Sequence, residues 1–107
     1  MFVTMNRLPV HEEHWPDFEE RFRHRLGLVD KTPGFVRNLV LRPADGNTEC
    51  HIVMTLWENR EAFETWTKSD AFIQAHYRST QDAQKAKESF KGPGKLEAFE
   101  SVTDSGA

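Results

Sequence analysis

Hydrophobic periodicity switches along this chain between the strand period and the helix period, and the order of the switches admits few folds. Phe2 to Val10 reads as a strand, rich in β-branched and aromatic residues and ending near Pro9. From about His14 to Leu26 the apolar residues Trp15, Phe18, Phe22 and Leu26 recur at helical spacing, and Pro16 suits a first turn. Glu13, Asp17, Glu20, Arg21 and Arg25 charge the opposite face, and Gly27 is the expected stop. Pro33-Gly34 turns the chain into a second strand, Phe35 to Leu41. Asp-Gly inside Pro43-Ala44-Asp45-Gly46-Asn47 predicts a hairpin into a third strand, from about Cys50 to Trp57.

Asn59 is a good N-cap for a helix to Thr67 with Ala62, Phe63 and Trp66 on one face. Ser69-Asp70 reads as a fresh cap that restarts the helix through Phe72, Ile73, His76 and Tyr77. The polar stretch from Ser79 to Lys91 is expected to be partly helical or a mobile loop, closed by Gly92-Pro93-Gly94, with a final strand from Leu96 to Val102. The order β-α-β-β-α-β predicts an α+β, ferredoxin-like sandwich: an antiparallel four-stranded sheet with its helices on one face. Residues 1–103 form one domain in this reading, and 104–107 a disordered tail. Val3 and Met5 make the other sheet face apolar, so a homodimer pairing sheet to sheet is the natural remedy.

Composition excludes several classes. Fourteen basic against 17 acidic residues, a formal net charge of -3, leave no basic footprint for nucleic acid. No apolar run is long enough for a membrane span, and no charged-then-apolar opening suggests secretion. The single cysteine, Cys50, cannot form an intramolecular disulfide, which fits a reducing cytoplasm. Eight Phe and three Trp in so polar a chain argue for a compact core or a pocket for a flat ligand. Glycine-rich phosphate loops, Cys-x-x-Cys or His-x-x-x-His metal spacings and a nucleophile elbow are all missing.

Three residues then ask for a reason. Asn6 is an amide in the middle of a strand, where asparagine has poor propensity, although a solvent-facing or loop-bonded amide is the commoner outcome. Trp66 lies on a helical aromatic face of the kind that usually packs on a sheet. Most lone histidines are surface or satisfied core residues, and His11, His14, His24 and His51 keep that reading. His76 differs because it ends an apolar helical face and precedes a polar segment. In one continuous helix Trp66 and His76 would stand roughly 80° apart around the axis. A break at Ser69-Asp70 re-aims the second segment and lets both address one cleft.

The set Asn6, Glu20-Arg21-Phe22-x-x-Arg25, Pro33-Gly34-Phe35, and Leu56-Trp57-Glu58 through Ala62-Phe63-x-x-Trp66 to Ala75-His76 resembles the IsdG-type heme-degrading monooxygenases. These belong to the dimeric α+β barrel superfamily, with the antibiotic-biosynthesis monooxygenases. The likeness runs from about Met1 to Arg78, and Asn6, Trp66 and His76 are its specific part. It implies heme as both cofactor and substrate, with His76 as the iron ligand, Trp66 pressing on the porphyrin and Asn6 on the distal side. Phe22, Phe63 and Phe72 are the candidates to line the pocket, and Arg25 and Arg21 to meet the propionates. Dioxygen is the co-substrate, and electrons come from an external reductase or other donor, because no flavin or nicotinamide signature is present. Two other readings keep the same fold: a cofactor-independent monooxygenase of quinols or aromatic polyketides, and a heme-binding protein that never turns over.

Overall fold

The computed structural model describes residues 1–24, 27–76 and 87–106, the last three of the middle stretch by backbone alone. Four strands, β1 (Phe2–Leu8), β2 (Phe35–Leu41), β3 (His51–Trp57) and β4 (Lys95–Glu100), form one antiparallel sheet in the order β2-β3-β1-β4. Helix α1 (Trp15–Arg23) joins β1 to β2, and α2 (Arg60–Thr67) and α3 (Asp70–His76) follow β3. This is the ferredoxin-like order expected from the periodicity.

Several boundaries moved for local reasons. Pro9 offers no N–H to the ladder, so β1 stops at Leu8 and Val10 makes only an isolated bridge to Phe90. α1 is preceded by a 3-10 turn over Glu12–His14 and ends at Arg23, earlier than the apolar spacing through Leu26 suggests. Beyond it Gly27, at φ 68, accepts a hydrogen bond from Asp30 N–H as the chain enters a second 3-10 turn over Val29–Lys31. β3 begins at His51, and β4 spans Lys95–Glu100 instead of reaching Val102. The stretch 77–86, which covers much of the segment expected to be helical or mobile, lies outside the described residues, as do Arg25 and Leu26.

The two late helices follow from their caps. Asn59 Oδ1 accepts from Ala62 N at 2.9 Å, starting α2. Ser69 Oγ donates to Trp66 O at 2.7 Å and accepts from Phe72 N at 3.1 Å, so one hydroxyl ends α2 and starts α3. The break expected between Trp66 and His76 is therefore present.

Cross-strand register sorts the side chains into rows. On the face that meets the helices these are Phe35–Trp57–Phe2–Glu100, then Asn38–Thr55–Thr4–Ala98, then Val40–Val53–Asn6–Leu96. Phe2 and Trp57 from the first row pack with Ala62 and Trp66 of α2 as the main core cluster. A bulge between Phe35 and Arg37 keeps β2 in step, so Leu39 and Leu41 join Met54, Ile52, Leu56, Val3, Met5 and Phe99 on the opposite face. Phe99 is 45% exposed there and Leu41 40%.

Gly34 locks β2 to α2. Its φ is 85°, and a Cβ added there would lie 2.5 Å from the Cβ of Ala62, itself buried under the sheet. Its carbonyl accepts from Glu58 N at 2.8 Å, so the turn cannot simply swing aside. Gly34→Ala is expected to destabilise the fold by about 2–4 kcal/mol, combining left-handed strain with overpacking. Urea or thermal unfolding checks this.

Candidate functional site

The third row, Val40–Val53–Asn6–Leu96, is where polar chemistry meets an open apolar floor. Asn6 sits in the inner strand β1, half-buried, with Val53 on one side and Leu96 on the other. Leu96 is 61% exposed although it lies on the helix face, and Ala98 in the neighbouring row is exposed too. Over β1 and β4 the sheet thus offers a flat apolar strip with one carboxamide in it. Among the described residues no group is hydrogen-bonded to the Asn6 side chain, which leaves its amide N–H groups available to a ligand. By contrast Asn38 is engaged, donating to Thr55 Oγ1 at 2.9 Å and to Met54 O at 3.3 Å.

The other expected site residues divide into groups. Trp66 is 6% exposed and packs in the core cluster, with Phe72 against it edge-on at 5.6 Å between ring centroids. Phe63 lies against Phe2 at 5.6 Å and Trp57 at 6.0 Å, within the same aromatic group. His76 lies in α3, and its side chain lies outside the described atoms. Phe22 is on α1, 5.1 Å from Phe18. Arg21 is exposed and donates through Nη2 to Ser89 Oγ at 3.4 Å; Arg25 lies outside the described residues. Trp66, Phe63 and Phe72 thus come together at one end of the sheet, and Phe22 lies apart from them on the other helix.

Phe22 instead borders a cavity of about 480 Å³ between α1 and the β2–β3 side of the sheet, lined also by Glu19, Arg23, Asn38, Val40, Arg42 and His51. Its floor is a cluster that the sequence reading passed over. His51 has no exposed surface and is held between Trp15 and Phe18, each edge-on at 5.0 Å. Its Nε2 donates to Glu19 Oε2 at 2.8 Å, while Nδ1 is buried without a partner among the described residues. Arg42 grips the same carboxylate with Nε on Oε2 at 2.8 Å and Nη2 on Oε1 at 2.5 Å. His51 is therefore a core histidine, as most lone histidines are expected to be, but one tied to an ion pair. No local pattern could have revealed it, because its partners come from α1 and from the residue just past β2.

The paired hydrogen bonds from Arg42 hold the Glu19 carboxyl at about 2, below its ordinary 4.5; partial burial opposes the shift and the His51 contact reinforces it. A carboxyl whose folded value is depressed stabilises the fold above its unfolded value and loses that contribution as pH falls. Glu19→Gln is expected to lower the melting temperature by roughly 4–8 °C at neutral pH, the effect of about 1 kcal/mol in a domain this size. The gap between variant and native chain should narrow as pH falls from about 4.5 towards 2. Thermal melts by circular dichroism across that range measure it.

Comparison with known proteins supplies the lineage. A heme oxygenase (mycobilin-producing) of Mycobacterium tuberculosis is 40% identical over 74 residues, 69% of each chain. A heme oxygenase (staphylobilin-producing) of Staphylococcus haemolyticus is 38% identical over 77 residues, 71% of this chain and 73% of the relative. Among solved structures, the heme degrader MhuD of Mycobacterium tuberculosis, with two hemes bound in its active site, superposes with a TM-score of 0.78 at 34% identity. That match covers 99% of this chain and 100% of the other. The family profile described as antibiotic biosynthesis monooxygenase matches residues 1–78, and this chain belongs to that family.

Proposed function

We propose that this protein is a heme-degrading monooxygenase that opens the porphyrin ring with dioxygen and externally supplied electrons and releases iron. The observation that carries the reading is the Val53–Asn6–Leu96 row: an unengaged carboxamide beside the exposed Leu96, on the sheet face against which α2 packs Trp66. The 40% identity to a mycobilin-producing heme oxygenase supports it.

The donor set suits the ligand. A macrocycle with apolar faces needs a flat dry surface, an axial nitrogen and few polar contacts, and this face supplies Leu96, Val53 and Ala98 with a single amide among them. Heme would supply both the iron at which dioxygen is activated and the carbon skeleton that is oxidised. His76 would hold the iron through a neutral imidazole nitrogen. Asn6 would donate an amide N–H to the oxygen substrate and so hold it in place. The Trp66 indole, backed by Phe72, would press on the ring and set its shape. Arg25 would pair with a propionate at the rim. Arg21 would join it by exchanging its present contact with Ser89.

The protein acts as a homodimer in this account, since the opposite sheet face exposes Phe99 and Leu41 beside Met5 and Met54. The cytoplasm is its proposed location, a reducing compartment that the lone Cys50 suits. Hemin titration followed by ascorbate tests the reading. A Soret band should grow with hemin and then bleach under reductant in air, with release of chelatable iron. A band that survives reductant would leave a heme-binding protein, and no band at all would favour a cofactor-independent oxygenase.

A further inference from the structure

We infer that Gly94 is a positioning residue: its missing side chain leaves the space that fixes how the Asn6 carboxamide is turned. The inference rests on the reading of Asn6 as the distal donor. Gly94 stands one position before β4, next to the last paired residues Arg7 and Lys95. Alternation along the strand puts it on the helix face, two residues from Leu96. A Cβ built on Gly94 would meet Leu8 Cδ2 at 2.7 Å, Arg7 O at 3.3 Å and Asn6 Oδ1 at 3.4 Å.

The Leu8 methyl is the free end of a flexible side chain and can retreat. The carbonyl of Arg7 belongs to the β1 backbone and cannot. Any side chain at position 94 is therefore steered between that fixed oxygen and the Asn6 carboxamide. With glycine there, the carboxamide oxygen rests towards the bare Cα, and the amide nitrogen, on the other branch of the same planar group, is turned away from it. An added Cβ only touches that oxygen, but the branches of a larger side chain crowd it, rotate the plane and re-aim the N–H groups. A donor must be aimed closely at the atom that gains charge, and a misplacement on the order of 1 Å costs about 100-fold in rate. Gly92, two residues earlier, has nothing within 4 Å of its built Cβ and provides a matched control.

The test measures hemin affinity, turnover under ascorbate and the C–O stretching frequency of the ferrous carbon monoxide complex, which reports a distal hydrogen-bond donor. Gly92→Ala should change none of them. Gly94→Ala should lower turnover by no more than about 3-fold and Gly94→Val by about 10- to 100-fold, with hemin affinity held within about twofold. The stretching frequency should move towards that of Asn6→Ala. In an Asn6→Ala background neither substitution should cost anything more, because residues acting through one group do not add. Equal losses in both backgrounds, or native turnover with an unmoved frequency in Gly94→Val, would overturn the inference. Should Gly94→Val fail to fold, Gly94→Ser, with a single γ atom, carries the comparison. Native turnover in Asn6→Ala itself would remove the premise before position 94 is touched, so the two failures are distinguishable.

Discussion

Replacing His76, the proposed iron ligand, with alanine is expected to weaken hemin binding by at least about 100-fold, beyond the 10- to 100-fold that losing a mere supporting contact to a ligand costs. The reasoning starts from the chain's local geometry. α2 ends at Thr67, Ser69 caps a new helix, and α3 spans Asp70–His76. His76 thus stands on a helical backbone whose start the Ser69 cap ties to Trp66. Soret titration with added hemin and the spin-state bands of the ferric complex measure the effect. Imidazole added to His76→Ala should restore much of the native spectrum if the lost interaction is ligation. A native spectrum in the variant would take His76 out of the site.

The second large effect is expected at Asn6. Asn6→Ala should keep hemin affinity within about twofold yet lower turnover by about 100- to 1000-fold, the range seen when one donor to a developing negative charge is deleted. The split follows from where Asn6 lies. It contributes a small fraction of the apolar floor, most of which Val53, Leu96 and Ala98 supply, so its loss costs little contact area. Its N–H groups are uncommitted among the described residues, so their loss is felt only by the ligand. Single-turnover bleaching of the Soret band under ascorbate separates the two quantities. Equal losses in affinity and turnover would recast Asn6 as a binding residue only.

Both substitutions concern residues that the sequence singles out, yet the route to each differs. The caps were legible because they are hydrogen bonds within three residues: Asn59 to Ala62, and Ser69 to Phe72. β2 has the ends that Pro33-Gly34 and Pro43 set for it. α1 was less legible. Its apolar spacing continues to Leu26, but the helix stops at Arg23, where the His24 N–H still returns to Glu20 O before the chain leaves for Gly27. Periodicity alone does not reveal where the path to the next strand must begin.

The site shows the same division. Period-two alternation put Asn6 on one face of β1 with Phe2 and Thr4, and the structure has it there. Its lateral neighbours could not be read, since Val53 and Leu96 are far away in the chain and meet it only through pairing register. The Glu19–His51–Arg42 cluster and the Gly94 contact were missed for that reason. Glycine in Gly92-Pro93-Gly94 reads as a loop terminator, and nothing local says that one of the two faces an amide while the other faces open space.

By itself, then, the sequence determined the succession of elements, their caps and turns, and which face each strand residue takes. These depend on hydrogen bonds and sterics a few residues wide. Only the tertiary structure decided what stands beside what: an exposed leucine next to the strand-one amide, a glycine against its oxygen, a histidine locked to a carboxylate. Those contacts arise from long-range strand pairing and helix docking, whose register is a property of the whole packed sheet and not of any stretch of chain.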